Sequence, residues 1–244
     1  MAQHFTLPGI SRLLSARGLT VVGMAAGLIS VAGCKVDNAL GPSNNQAIVQ
    51  FINAASRYPT ADLFVDGVDA LSGLPYGQGS SIFVNAPTTP RLFAVRGAPD
   101  TTTLASSQLV VSNKTTYAMI LTQRSAGAGL IVLPDTVSAP PAKSIGLRIV
   151  NAAPAAGTVD VYITGTDSTL TTPIATNIPF EGVMNYQYIP VGTVRLRVTA
   201  AGTKTVLLDV DASPLVSGQV RTIVVIDTDA GGLPLTWLGI PDVG

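Results

Sequence analysis

Two stretches of this chain decide its fold, because each repeats the other: IVQFINAASRYPTADLFVDG at 48–67 and LRIVNAAPAAGTVDVYITG at 147–165. The two stretches match at a constant spacing of residues. The matched pairs are Asn53 with Asn151, Asp62 with Asp160, Phe64 with Tyr162, and Gly67 with Gly165. Three further matches follow in the same order: Arg91-Leu92 with Arg195-Leu196, 112–121 with 217–226, and 130–133 with 235–238. An ordered series of matches indicates an internal duplication.

Each copy consists of short apolar runs separated by Gly, Pro, Asn, Ser and Thr, and no helical period persists over three turns. The runs predict strands at 48–52, 63–65, 92–95, 117–121 and 130–133. About seven strands in roughly 100 residues is the size of an immunoglobulin-like sandwich. The sequence therefore predicts an all-β protein with two tandem immunoglobulin-like β-sandwiches of Greek-key type. We place them at 47–135 and 145–244, joined by a proline-containing linker at 136–144.

The first 33 residues have the pattern of an export signal. Arg12 and Arg17 precede an apolar run, LTVVGMAAGLISVA at 19–32, which is shorter than the ~20 residues that a membrane-spanning helix needs. We therefore expect this segment to be cleaved and a polar tether, 34–46, to lead into the first sandwich.

The end of the apolar run, Val31-Ala32-Gly33-Cys34, resembles the bacterial lipobox. The resemblance implies that Cys34 becomes the first residue of the mature protein and carries a covalent diacylglycerol, and that its amine can also be acylated. Two or three acyl chains give a stable membrane anchor. The expected location is the bacterial cell envelope, and the outer membrane where the host has two. We expect no other cofactor.

Composition excludes several function classes. Fourteen basic residues balance fourteen acidic ones without basic runs, so a nucleic-acid partner is not expected. The only histidine, His4, leaves with the signal, and the only cysteine is Cys34. A mature chain without histidine or a free thiol cannot use Ser-His-Asp or Cys-His catalysis.

The repeated stretches also resemble a bacterial family catalogued as domain of unknown function 4397, in which a strand runs into N-A-[AS]-P and then V-D-V-Y-x-x-G. Residues 151–154 and 159–165 fit this pattern closely, and 53–56 and 61–67 fit it more loosely. The resemblance implies an exported or surface protein of β-sandwich type and brings no established activity.

The repeated polar residues have two interpretations. Asp62 and Asp160 alternate with apolar neighbours, so they are either ligand carboxylates on an exposed sheet face or acceptors for backbone N–H groups of the preceding turn. In the second interpretation, which we favour, Asn53 and Asn151 bracket the same loop, and Gly67 and Gly165 complete a structural motif.

Other groups are weaker candidates. The spacing of Asp209 with Asp211 and of Asp227 with Asp229 resembles fragments of a calcium loop, but the full ligand series is missing and 227–232 also fits a hairpin turn. Glycoside hydrolysis needs two converging carboxylates, and nothing pairs the single glutamate, Glu181, with an aspartate. We predict no catalytic and no metal site.

The sequence leaves two function classes. We expect a non-catalytic envelope or surface protein that presents two sandwiches for binding, adhesion or scaffolding, with an unknown envelope or extracellular protein or glycan as its partner. The alternative is a carboxylate-dependent hydrolase or a carbohydrate-binding accessory module. Tyr186 and Tyr188, which alternate onto one strand face, and Trp237 are the aromatic residues that could stack on a sugar.

Overall fold

A computed structural model describes residues 45–97, 102–166 and 169–241. The predicted signal peptide and Cys34 lie outside the described residues. Sixteen strands are present: β1 (Gln46–Ala54), β2 (Thr60–Val65), β3 (Val68–Pro75), β4 (Gln78–Asn85), β5 (Arg91–Gly97), β6 (Thr103–Leu109), β7 (Thr116–Arg124), β8 (Gly127–Asp135), β9 (Ser144–Asn151), β10 (Val159–Thr164), β11 (Ala175–Ile178), β12 (Val183–Pro190), β13 (Thr193–Ala200), β14 (Val206–Pro214), β15 (Val220–Ile226) and β16 (Thr236–Pro241).

The two halves of the chain share one topology. Repeat 1 has two sheets with strand orders β4-β1-β7-β8 and β3-β2-β5-β6, and repeat 2 has β12-β9-β15-β16 and β11-β10-β13-β14. In each repeat the first strand pairs in parallel with the seventh and antiparallel with the fourth. The prediction of an all-β protein with two tandem sandwiches is confirmed, and in the described residues each sandwich has eight strands rather than about seven.

Each sandwich has its own core. In repeat 1 the core lies between the inner faces of its two sheets and includes Phe51, Leu63, Phe93 and Met119. In repeat 2 the corresponding cluster contains Ile149, Val161, Leu196 and Val198. Alternate residues of each central strand point into these cores, as the period of two requires.

The strand pairing shows that two of the predicted matches between the repeats are wrong by one residue. Val65 pairs with Phe93 and Ile163 pairs with Leu196, so Phe93 occupies the place of Leu196, and the predicted match of Leu92 with Leu196 is wrong. The physical reason is that a shift of one residue turns a strand over. Leu92 is 41% exposed, whereas Phe93 and Leu196 are 0% and 5% exposed.

The same correction applies to the seventh strand of each repeat. Val49 pairs with Tyr117, and its counterpart Leu147 pairs with Arg221. Tyr117 therefore corresponds to Arg221, one position away from the match that the sequence predicts.

A third apolar cluster joins the repeats. Ile52, Ala118 and Ile120 on the outer face of the β1 sheet belong to one cluster with Val150 and Val224 of the β9 sheet. The central strands of these two sheets are therefore buried on both faces. Both repeats lie in one compact unit, and the linker is not the only connection between them.

Candidate functional site

The paired asparagines at the ends of β1 and β9 are fully buried and bonded. The Asn53 side-chain amide donates to the carbonyl oxygens of Tyr58 (2.9 Å) and Leu74 (3.3 Å), and its oxygen accepts from the Ala55 N–H (3.2 Å). Asn151 repeats this pattern with Gly157, Ile178 and Ala153. Each asparagine thus ties the loop that follows its strand to the edge strand β3 or β11.

The paired aspartates hold the same edge strands. Asp62 Oδ1 accepts from the N–H of Gly73 at 2.6 Å, and Asp160 Oδ1 accepts from the N–H of Asn177 at 2.8 Å. Gly73 and Asn177 both have positive φ, 67° and 54°, and both lie where the strand register shifts. The carboxylate therefore satisfies an N–H group that the irregular ladder leaves unpaired.

The N–H groups that donate to Asp62 and Asp160 lie on the neighbouring strands β3 and β11. The sequence interpretation placed them on the preceding turn, which is wrong. Asp160 Oδ2 also accepts from the N–H of Gly202, in the turn between β13 and β14, at 2.8 Å. The two oxygens of Asp160 thus connect β10 with segments on both sides of it. A carboxylate engaged in this way supports the sheet and is not presented to a ligand.

The two glycines of the motif differ. Gly67, with φ 81°, follows Asp66, with φ 51°, in the two-residue turn between Val65 and Val68. Two successive positive φ values are the requirement of a type I′ hairpin turn. Gly165 lies outside the left-handed region, because the connection from β10 to β11 is longer in repeat 2.

Glu181 connects the two repeats. Its carboxylate accepts three bonds from the Arg124 guanidinium, at 2.9 Å from Nε to Oε1, 3.1 Å from Nε to Oε2 and 2.8 Å from Nη2 to Oε2, and a further bond from the Thr122 hydroxyl. Burial raises the pKa of Glu181, but the hydrogen bonds from Arg124 and Thr122 and the charge of Arg124 outweigh it and hold this pKa below its ordinary value. The structure thus brings Glu181 to a cation and a hydroxyl rather than to an aspartate.

Space for this ion pair comes from Gly129 on β8. A Cβ atom at Gly129 would lie 2.6 Å from Thr122 Oγ1 and 2.7 Å from Arg124 Nε, which no real contact allows. Glu181 itself has a positive φ of 62°, at the position where repeat 1 has Gly77. A non-glycine residue in the left-handed conformation costs about 1 kcal/mol. The hydrogen bonds of the Glu181 side chain to Arg124 and Thr122 compensate for this cost.

A second polar contact joins the repeats. The Tyr76 hydroxyl donates to the carbonyl oxygen of Asp227 at 2.6 Å. Burial, together with the charges of Asp227 and Asp229, raises the pKa of Tyr76 far above its ordinary value, so this donor stays protonated. The Asp227 carboxylate accepts from the N–H of Ala155 within repeat 2.

Calcium ligands do not converge in the described part of the chain, where no group of three or more His, Cys, Asp or Glu side chains could hold a metal. Asp209 forms a bidentate ion pair with Arg195, with both distances 2.7 Å. The side chain of Asp211 lies outside the described residues. Residues 227–235 connect β15 to β16, and Gly231 and Gly232 have positive φ as a turn requires.

Tyr186 and Tyr188 line a surface groove of about 460 Å³ beside the linker. The Tyr186 hydroxyl donates to Asp135 at 2.8 Å, and the Arg148 guanidinium lies 4.5 Å from the Tyr186 ring centre. Tyr188 is 47% exposed. Tyr186 is thus held by its neighbours, and Tyr188 is the ring that a ligand could reach.

A cleft of about 370 Å³ opens between the two sheets of repeat 2. Its walls are apolar and include Leu147, Leu196, Val210, Ile223 and Trp237, and two charged residues, Asp209 and Arg221, also line it. It lies by the edge strands β14 and β16. In repeat 1 the corresponding edge strands, β6 and β8, contact each other.

In repeat 1, larger side chains occupy the position that corresponds to the cleft of repeat 2. Phe93 and Tyr117 are buried where repeat 2 has Leu196 and Arg221, and Tyr117 accepts from the N–H of Ser112 through its hydroxyl oxygen at 2.9 Å. Trp237 forms one wall of the cleft and is 40% exposed. The sequence interpretation missed this cleft, because it depends on which residues of different strands share a face.

These features define a tandem β-sandwich protein whose repeated polar residues maintain the sheets. Residues 47–162 match the model of a family described as Domain of unknown function (DUF4397), so this part of the chain is similar to that domain. The matched region extends from β1 to β10 and includes the linker.

Two solved structures show a distant similarity, each at 10% identity. One is the CBM26-family module CBMbc from Eubacterium rectale Amy13K in complex with maltoheptaose, with 82% of this chain and 98% of that chain covered and a TM-score of 0.25. The other is a candidate adhesin from Bacteroides ovatus, with 80% and 95% covered and a TM-score of 0.24. Neither similarity transfers a ligand or an activity to this chain. No curated protein matches its sequence.

Proposed function

We propose that this protein is a lipid-anchored, non-catalytic component of the bacterial cell envelope that presents two joined sandwiches for binding, adhesion or scaffolding. The observation that carries the proposal is the use of the carboxylates. Asp62 and Asp160 accept backbone N–H groups, and Glu181 is enclosed by Arg124 and Thr122. These three carboxylates are therefore engaged in holding the fold.

Membrane attachment through Cys34 is supported by the lipobox-like residues 31–34. Within the described ranges, no helix is long and apolar enough to cross a membrane. The expected result is that the native protein partitions with membranes, that its N-terminal peptide carries the mass of a diacylglyceryl cysteine, and that Cys34→Ala abolishes both. A Cys34→Ala protein that is still processed and still needs detergent would contradict the anchor.

The non-catalytic part is tested with residues 35–244, which contain all described strands and all three apolar clusters. A pull-down and a glycan array, each with and without calcium, would detect a partner. Turnover of a polysaccharide, peptide or ester would refute the non-catalytic reading if Glu181→Gln or Asp160→Asn abolished it without loss of folding.

One observation favours a carbohydrate as the second candidate ligand. The exposed Tyr188 ring lies in a groove with Asn185 and the linker, and aromatic faces beside amide groups suit a sugar. Tyr188→Ala should then remove glycan binding, whereas Phe83→Ala, at another exposed ring, should preserve it. A glycan array that shows no binding for the unmodified protein would exclude this candidate.

A further inference from the structure

The cleft in repeat 2 contains a cation, Arg221, that forms no ion pair with any of the described residues. Arg221 is half-buried and lies on the same strand face as Ile223, which also lines the cleft. Among the residues that the structure describes, no carboxylate lies within salt-bridge distance of Arg221. Asp209, the carboxylate among the residues that line the cleft, forms an ion pair with Arg195 instead.

A partly buried charge in an apolar environment is unfavourable unless it is paired. At the corresponding position repeat 1 has Tyr117, which is buried and has a partner for its hydroxyl group. Repeat 1 thus shows that this fold can close the same core with an uncharged ring. The arginine in repeat 2 leaves both space and a positive charge.

The size and shape of the cleft suit a small ligand. A volume of about 370 Å³ is within the range of roughly 300–1,000 Å³ of small-molecule sites, which are mostly apolar with a few polar groups that fix orientation. Here Leu147, Leu196, Ile223 and Trp237 supply the apolar wall, and Arg221 supplies the polar group.

We infer that this cleft binds an amphipathic organic carboxylate, with the apolar body between the sheets of repeat 2 and the carboxylate on Arg221. The guanidinium group suits this ligand because it pairs with a carboxylate through two parallel hydrogen bonds. This inference rests on the proposed function, since it takes the protein to be a binding protein, and it names the ligand class and the site.

Trp237 makes the test direct, because it is the only tryptophan in the chain and it lines the cleft. Residues 35–244 are titrated with decanoate below its critical micelle concentration while tryptophan emission is recorded. We expect a saturable blue shift as the ligand covers the ring. Decanol, with the same chain and no charge, should bind at least tenfold more weakly, and acetate should not bind.

Two variants separate the two parts of the site. Arg221→Gln should weaken decanoate binding at least tenfold and leave decanol binding unchanged, while Arg57→Gln, at an exposed arginine outside the cleft, serves as the matched control. Leu196→Phe, which introduces the residue that repeat 1 has at this place, should abolish binding of both. Circular dichroism and thermal unfolding verify that each variant is folded.

Absence of a saturable response to decanoate would overturn the inference, and so would equal binding of decanoate to Arg221→Gln. Neither outcome would affect the non-catalytic proposal, which depends on turnover assays. Conversely, detection of an enzymatic activity would overturn the proposed function and leave the decanoate titration as a separate result.

Discussion

At the scale of single residues, the repeated motif is a set of connections to one edge strand. Asn151 bonds to the carbonyl oxygen of Ile178, and Asp160 bonds to the adjacent N–H of Asn177. Asn53 and Asp62 do the same for Leu74 and Gly73. A duplicated pair of polar residues can therefore be explained by the backbone groups it satisfies, without a ligand.

Asn151→Asp tests this explanation with little change in shape. A carboxylate cannot donate to the carbonyl oxygens of Gly157 and Ile178, so two buried acceptors lose their partner and a charge is buried. We expect a loss of about 3 kcal/mol in the free energy of unfolding, measured by urea denaturation. Asn185→Asp, on an exposed position of β12, should change it by less than about 0.5 kcal/mol.

Glu181 gives a pH-dependent prediction. Its pKa is lower in the folded protein than its ordinary value, so the ionised carboxylate stabilises the fold above that ordinary value, and the contribution is lost as the pH falls through the folded pKa. Glu181→Gln should therefore cost about 1 kcal/mol at pH 7. The difference from the unmodified protein should shrink below about pH 4. A difference that stays constant from pH 7 to pH 3 would contradict this role.

At the scale of the elements, the edge strand β11 depends on its connections. It is short and pairs with β10 through an irregular register, so the backbone ladder alone holds it weakly. The bonds from Asp160 and Asn151 supplement that ladder. In repeat 1, Asp62 and Asn53 form the corresponding hydrogen bonds to β3.

Asp160→Ala should loosen β11 specifically. Without the carboxylate, the N–H groups of Asn177 and Gly202 lose their acceptor, and amide exchange at 175–178 should become about tenfold faster, which corresponds to roughly 1.4 kcal/mol. Asp229→Ala, in the exposed loop after β15, is the control and should leave exchange at 175–178 unchanged. Faster exchange throughout both sandwiches would instead indicate a global loss of stability.

The sequence was sufficient to locate β1, β2, β5, β7 and β8, because alternation and turn residues are local signals. It was not sufficient for the register of β5 and β13, since the connections between strands differ in length and a one-residue error reverses the faces. The contact between the repeats did leave a signal, which is the nearly continuous apolar run of β1 and of β7 and β15. Such runs indicate strands buried on both faces.

At the scale of the whole molecule, the contact between repeats is reciprocal. Gly77 and Glu181 occupy equivalent positions, as do Ile226 and Thr122, by their pairing within the sheets. Gly77 lies beside Ile226, and Glu181 lies beside Thr122. The two repeats thus exchange equivalent contacts, as the subunits of a symmetric dimer do.

The contact between repeats predicts the outcome of cleavage in the linker. The domain boundaries remain predictions, and limited proteolysis should cut first between Ser138 and Lys143, where the chain is exposed. After the cut, we expect both fragments to elute together in size-exclusion chromatography, because Ile52, Ile120 and Val224 remain packed in the shared cluster. Separate elution of two folded fragments would show that each sandwich is autonomous.

The position of β1 has a mechanical consequence. This strand is the first one that the structure describes, and it lies between β4 and β7, hydrogen-bonded to both along its length. A pull on the chain ahead of Gln46 would act along the strand, so many hydrogen bonds on both sides would share the load and would have to break together. The first described strand would therefore resist force strongly, and the anchor proposed at Cys34 would apply its load to this strand first.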